Sequence, residues 1–287
     1  MRELLPFEEI EQAVPFFHGK EGLVRRIKRA FRLSKVEDLV WRHSDKVGVD
    51  FASDVLDELG VDYEIGGLGL DQLPEGAFFT IHNHPYGGVD GCVLIDLFGR
   101  LDPDYKLMVN KILARIWPLE QSCITVIPTG EHKTAPKAES IGGVRETISA
   151  IRSGHPVGIF PSGAVSDLSL KDRCVRDREW QSGSIHLMKK LGVPIVPVRF
   201  FDGNSPFYYS LGLISWKVRL LRLPSEIFNK NGKRMRMGIG PVIMPDKLKE
   251  FENIEDLGKF LRSSVYDMPM PETFVKRSDL PRQIWKK

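Results

Sequence analysis

Cysteine is scarce: Cys92, Cys123 and Cys174 are the only three, far apart and with no CxxC pair among them. That excludes a disulfide framework and a thiolate metal site, and three reduced thiols suit a cytoplasmic protein. Long apolar runs are missing too. No stretch approaches the roughly 20 residues needed to span a bilayer. The opening MRELLPFEEIEQ places acids where a secretory signal has its apolar core. Neither an internal repeat nor a low-complexity tract occurs. Charge of one sign is not in large excess: a net +3 over 287 residues argues against general nucleic-acid binding. No G-x-S-x-G occurs, which removes the nucleophile elbow that a serine hydrolase or thioesterase of that type needs.

What is present is globular: 42% hydrophobic and 28% charged residues, enough for one large domain or one with an appendage. The first 62 residues read as helical. Residues 22–33, GLVRRIKRAFRL, put Leu23, Ile27 and Phe31 on one face and arginines and lysine around the others. This fits an interfacial helix on anionic lipid as well as a basic surface helix packed on the domain. The clusters around Trp216 and at residues 230–236 extend the same basic character. A second helix is expected over residues 49–59, closed by Gly60.

From residue 63 to 287 the pattern alternates. Strands are expected at 77–81, 124–128, 157–160, 195–200 and 235–239, and helices at 89–99, 143–153, 184–191 and 254–265. Such alternation predicts an α/β fold, a mostly parallel sheet flanked by helices, with chemistry in the loops at the carboxyl ends of the strands. Two such loops stand out: His82-Asn83-His84-Pro85-Tyr86-Gly87-Gly88-Val89-Asp90 and Phe160-Pro161-Ser162-Gly163-Ala164-Val165-Ser166. Gly87 and Gly88 let the chain turn and bring the Asp90 carboxylate back to the His84 imidazole. A carboxylate on one ring nitrogen fixes the tautomer and frees the other nitrogen as a general base. The plain alternative makes Asp90 a helix N-cap and His84 a polar loop residue. His82 beside His84 also raises a metal site, against which stand strand alternation and the lack of Asp and His at positions 86 and 87.

These motifs resemble the glycerolipid and lysophospholipid acyltransferase superfamily. Asn83, His84 and Asp90 match its first block, residues 158–163 (GIFPSG) its third, and residues 193–198 (VPIVPV) its fourth. The Gly87-Gly88 pair, the segment 177–180 (DREW) and residues 201–205 with Tyr209 look like the hemolysin-like, aminolipid-forming branch. The resemblance implies a glycerol-3-phosphate acyltransferase-like fold. It also implies His84 and Asp90 as catalytic pair, and substrate contacts from Asn83, Gly87, Gly88, Pro161, Ser162 and Gly163. The Ser162-Gly163 turn would offer backbone N–H groups to an oxyanion or the acceptor. Asn110, Lys111 and Arg115, expected on a helix, are candidates for contact with an anionic head group or with the acyl donor. No cofactor or metal is implied; the donor is a coenzyme A or acyl carrier protein thioester, and the acceptor a lyso-lipid. The expected location is cytoplasmic, peripheral on the inner face of an anionic membrane. A non-catalytic lipid-binding module is the rival from another class. Two departures matter. The His–Asp spacer has five residues where the family has four, and Glu131 stands where an arginine holds the acceptor phosphate. Together with Ser162 in place of a glutamate, they leave open an amine or hydroxyl of an amino-acid-derived lyso-lipid.

Overall fold

A computed structural model describes residues 4, 6–13, 18–110, 113–126 and 138–284. In chain order the elements are α1 (Phe7–Ala13), α2 (Glu21–Ala30), α3 (Leu33–Arg42), α4 (Gly48–Glu58), β1 (Glu64–Gly67), β2 (Phe79–His82), α5 (Gly88–Gly99), β3 (Lys106–Asn110), β4 (Cys123–Val126) and α6 (Ala138–Arg152). They continue with β5 (Val157–Ile159), β6 (Asp167–Ser169), β7 (Cys174–Arg176), α7 (Ser182–Leu191), β8 (Ile195–Phe200), α8 (Pro206–Ile214), α9 (Trp216–Ile227), β9 (Arg236–Ile239), α10 (Pro245–Lys249), α11 (Ile254–Tyr266) and β10 (Val275–Lys276).

Eight strands form one sheet in the order β10-β1-β9-β8-β2-β5-β3-β4. The run from β8 to β4 is parallel throughout; β9 joins β8, and β10 joins β1, antiparallel. The alternation expected from sequence is therefore an α/β fold with a mostly parallel sheet. Strand period two sorts side chains to both faces. Val196, Val198 and Phe200 join one core with Leu39, Phe51, Leu56 and Leu94 from α3, α4 and α5. Phe79, Ile81, Val157 and Ile195 join the other with Ile151, Ile185 and Leu261 from α6, α7 and α11. The N-terminal helices α3 and α4 thus share a core with the sheet. Each fully buried Phe or Leu contributes about 1.5–3 kcal/mol relative to exposure.

Helix ends follow local chemistry. Gly60 (φ +63°) and Gly192 (φ +60°) stop α4 and α7 in the left-handed region, where a side chain is strained. The expected helix over residues 22–33 ends earlier, because Arg32 turns left-handed and α3 starts anew at Leu33. Of the face formed by Leu23, Ile27 and Phe31, Ile27 and Phe31 are half-buried and Leu23 is exposed, while Val24 is buried, with α2 packed against α3. Asn110 and Arg115 do not lie on a helix: Asn110 closes strand β3, and Arg115 ends the short 3-10 turn Leu113–Arg115. The β-branched and extended pairing of Met108 and Val109 with Ile124 and Thr125 takes this stretch into the sheet.

Candidate active site

Strands β2 and β5 are parallel neighbours, so the loops that follow them leave the same end of the sheet. The loop after β2 brings His84 and Asp90 together: His84 Nδ1 and Asp90 Oδ2 lie 2.7 Å apart, with Asp90 fully buried and His84 nearly so. Asp90 also accepts the backbone N–H groups of Tyr86 (3.0 Å) and Gly87 (3.1 Å) at the start of α5. One carboxylate therefore caps the helix and orients the imidazole; the cap and the dyad are the same arrangement. Burial pushes the Asp90 carboxyl above its ordinary range, while His84 and the two amides draw it back. The helix N-terminus adds a favourable dipole for the anion.

The five-residue spacer closes because Gly87 adopts φ +83°, ψ −127°, a conformation that side chains rarely enter. The turn is braced from below. Asn204 donates from Nδ2 to the carbonyls of Pro85 (3.2 Å) and Tyr86 (3.3 Å), and the Tyr209 hydroxyl donates to Pro85 (2.8 Å). Lys230 Nζ donates to Asn204 Oδ1 at 2.6 Å and sits 4.8 Å from the Tyr86 ring centroid. Burial pulls the Lys230 ammonium down to about 8, against the pull of Glu226. On the other side, Asp177 accepts from the His84 backbone N–H (3.2 Å), the Ser166 hydroxyl (2.6 Å) and the Trp180 indole (3.3 Å). The DREW segment thus pins the His84 backbone to the loop after β5.

The His84 ring lies on the Phe160 ring, centroids 3.9 Å apart. Nδ1 is committed to Asp90, and no described group takes Nε2. His84 borders a cavity of ≈ 170 Å³ between α6 and α7, lined by Met108, Val109, Leu113, Val126, Ile159, Phe160 and Leu187. Two larger clefts, ≈ 710 and ≈ 480 Å³, are lined by other residues. The first includes Trp180, Gln181, Glu255 and Arg262, and the second Asn83, Pro85, Arg176, Arg199 and Asp202.

The remaining sequence candidates divide. Asn110 and Gly163 line the His84 cavity. Asn83 spends its amide on Phe200, donating to the carbonyl (2.9 Å) and accepting the N–H (2.8 Å), so it ties β2 to β8. Gly88 opens α5, with Leu113 3.5 Å from where a Cβ would sit. The Pro161 carbonyl accepts the Gln181 N–H at 2.8 Å, and the Ser162 hydroxyl donates to Ala164 at 2.9 Å. The oxyanion role expected of the Gly163 N–H needs correcting, because that group donates to Phe160 (3.0 Å). Arg115 also departs from expectation: its guanidinium donates to the Leu4 carbonyl at 3.0 Å and pairs with Glu9, so it holds the N-terminal segment. Lys111, and the block from Ile127 to Lys133 that carries Glu131, lie outside the described residues.

Among the described residues no serine hydroxyl is hydrogen-bonded to the His84 ring. The Ser162 and Ser166 hydroxyls have other partners, and Ser166 meets His84 only through its backbone N–H, which donates to the His84 carbonyl at 2.9 Å. Burial pushes the Cys92 and Cys123 thiols up to about 12, far from thiolate chemistry. The site is an imidazole oriented by a buried carboxylate, with no serine hydroxyl or thiolate paired to it among the described residues, opening on an apolar cavity. Sequence reasoning quoted Asp177, Asn204 and Tyr209 without placing them under the turn, and it missed Lys230, whose only signal is a basic cluster.

A family described as acyltransferase matches residues 17–270. Among curated proteins, the chain is similar to a lyso-glycine lipid O-acyltransferase of Bacteroides thetaiotaomicron, 26% identical over 255 residues (86% of this chain, 89% of the relative). A protein of the same name from Phocaeicola vulgatus is 27% identical over 233 residues (78% and 79%). Among solved structures, the 1-acyl-sn-glycerophosphate acyltransferase PlsC of Thermotoga maritima aligns over 92% of each chain with a TM-score of 0.49 and 16% identity. With the family match running through most of its 287 residues, the chain belongs to the acyltransferase family.

Proposed function

We propose that this acyltransferase moves a fatty acyl group from a coenzyme A or acyl carrier protein thioester to the hydroxyl of a lyso-lipid, with His84 as general base. The observation that carries the reading is the 2.7 Å His84–Asp90 bond at the mouth of an apolar cavity, with no protein nucleophile in the pair. Nε2 takes the proton of the acceptor hydroxyl as its oxygen attacks the thioester carbonyl. The tetrahedral intermediate collapses, the carbon–sulfur bond breaks, and the imidazolium returns its proton to the departing thiolate. Asp90 keeps the proton-bearing nitrogen on its own side and stabilises the charged ring. The apolar lining from Met108 to Leu187 suits the first part of an acyl chain.

A hydroxyl acceptor is favoured by the two relatives described above, both named as O-acyltransferases of a lyso-lipid. A lyso-lipid acceptor together with a coenzyme A or acyl carrier protein donor fits work at a membrane surface, on its cytoplasmic face. Purified protein given an acyl thioester and a lyso-lipid extract should form a diacyl product by mass spectrometry. Mild alkali should cleave the new bond, as it does an ester; an alkali-stable product would make the acceptor an amine. His84→Ala should lower turnover by about 10³-fold or more. Undiminished turnover in that variant, or an acyl group trapped covalently on the wild-type chain, would refute the mechanism.

A further inference from the structure

The hairpin of α8 and α9 buries one face and exposes another. Tyr208, Tyr209 and Arg219 turn inward; Arg219 donates to the Ser166 carbonyl at 3.0 Å and pairs with Asp167. Outward stand Phe207, Leu213, Ile214, Trp216, Leu220 and Leu221, with Ile214 80% and Phe207 57% exposed. A surface helix ordinarily turns its polar side to water, and a cluster of exposed large apolar side chains marks an interaction site. The stretch 206–225 contains Lys217, Arg219 and Arg222 and no acidic residue at all. Arg222 sits 5.5 Å over the Phe207 ring, so a cation borders the apolar cluster directly.

A second cationic element adjoins. The Ser225 hydroxyl donates to the Phe31 carbonyl at 3.3 Å, joining α9 to the end of α2, where Arg26, Arg29 and Arg32 are exposed. At 1.5 Å per residue that junction lies about 14 Å along α9 from Trp216. Apolar side chains at a hairpin tip, an aromatic ring among them and cations behind, match the layering of a bilayer surface: acyl boundary, interface, anionic head groups. We infer that the α8–α9 tip inserts into an anionic lipid bilayer, with α2 supplying charge at the head-group level. The choice of a bilayer over a protein partner rests on the lipid acceptor proposed above. The same helix reaches the site: Leu223 packs 3.0 Å from where a Gly87 Cβ would be, about 10 Å along α9 from Trp216. Docking by this face brings the His84 turn to the surface where the acceptor resides, and it replaces α2 as the inserting element.

The test uses the full chain and vesicles of phosphatidylcholine with or without about 30% phosphatidylglycerol. Wild-type protein should co-sediment with the anionic vesicles and lose binding in high salt, and brominated lipid should quench its tryptophan fluorescence less after Trp216→Phe. The double variant Leu213→Glu with Ile214→Glu should bind at least about tenfold more weakly. It should lose transfer to acceptor embedded in vesicles, yet keep transfer to a short-chain acceptor dissolved as monomers. Arg26→Glu with Arg29→Glu should weaken binding to the anionic vesicles selectively. His84→Ala should bind like wild type, which separates failure of the chemistry from failure of the docking. Wild-type binding by the double glutamate variant, or no binding by the wild type, overturns the inference. So does a dimer that the glutamates convert to monomer, because a second copy would then cover the face.

Discussion

At His82 the fold buries an imidazole completely, 5.0 Å from the Phe160 ring, and neither ring nitrogen makes a hydrogen bond of good geometry. Burial, with some repulsion from His84 and a loose compensating contact from the Ile159 backbone, pulls its pKa from 6.5 to about 3. Between those values the unfolded chain carries a proton that the folded chain does not. Stability therefore falls as pH drops through that window, by about 3 kcal/mol between pH 6.5 and pH 4. Urea unfolding of His82→Leu should show a correspondingly smaller loss over the same interval, whatever its stability at pH 7. An unchanged slope would place the acid sensitivity elsewhere. Asp90 invites a different experiment. An asparagine there presents an amide where His84 Nδ1 needs an acceptor, favouring the wrong tautomer; kcat should drop by about 10²–10⁴ with KM little altered. Steady-state kinetics in which KM rises instead would assign Asp90 to substrate binding.

The turn from His84 to Asp90 works as an element, and Gly87 is the residue that shapes it. Gly87→Ala forces a Cβ into a φ of +83° and to 3.0 Å from two Leu223 methyl carbons. A loss of about 1–3 kcal/mol in thermal unfolding is expected, with a fall in kcat as the dyad loses its geometry. Asn204→Ala removes the brace under Pro85 and Tyr86 and should lower kcat by about tenfold while leaving KM nearly constant. A change confined to KM would contradict a positioning role. Much of this element was legible in sequence, because His84, Gly87 and Asp90 are close along the chain and the turn chemistry is local. The brace was not. Asn204, Tyr209 and Lys230 reach the turn from more than a hundred residues away, and only the fold makes them neighbours. Fold legibility divides the same way. Helices with clean periodicity and a closing glycine, α4 and α7, were readable within a residue or two. The α8–α9 hairpin was not: it is apolar on more than one side and interrupted by Pro206, Gly212, Ser215 and Pro224, so neither helical nor strand period emerges. Strand β1, EIGG, and strand β3, KLMVN, are too short and too weakly alternating to separate from loop or helix.

At the scale of the whole molecule, the sheet edge and the helices beside the site are locked by a buried charge network. Asp96 of α5 accepts from the Tyr63 hydroxyl (2.6 Å), Arg100 Nη2 (3.0 Å) and Arg277 Nε (2.9 Å). Burial by itself would raise the Asp96 carboxyl, yet the Arg277 and Arg100 guanidiniums and the Tyr63 hydroxyl hold it below the usual range. Arg277 also donates to Asp57 Oδ1 (2.5 Å) and Ser53 Oγ (2.7 Å) on α4. A residue just past β10 thus clasps α4 to α5, and β10 covers the outer edge of β1. Arg277→Met breaks that clasp and leaves Asp96 buried with less compensation, which should cost about 3–5 kcal/mol. For a chain of this size the midpoint of thermal unfolding should fall by roughly 6–20 °C. The network sits at the far end of α5 from Asp90, so turnover of the folded fraction at 25 °C should stay near wild type. Asp96→Asn combined with Arg277→Met should cost less than the sum of the single changes, because each single change strands a charge that the pair removes together. Additive losses, or an unmoved unfolding midpoint in Arg277→Met, would show that the clasp holds nothing the core does not already hold.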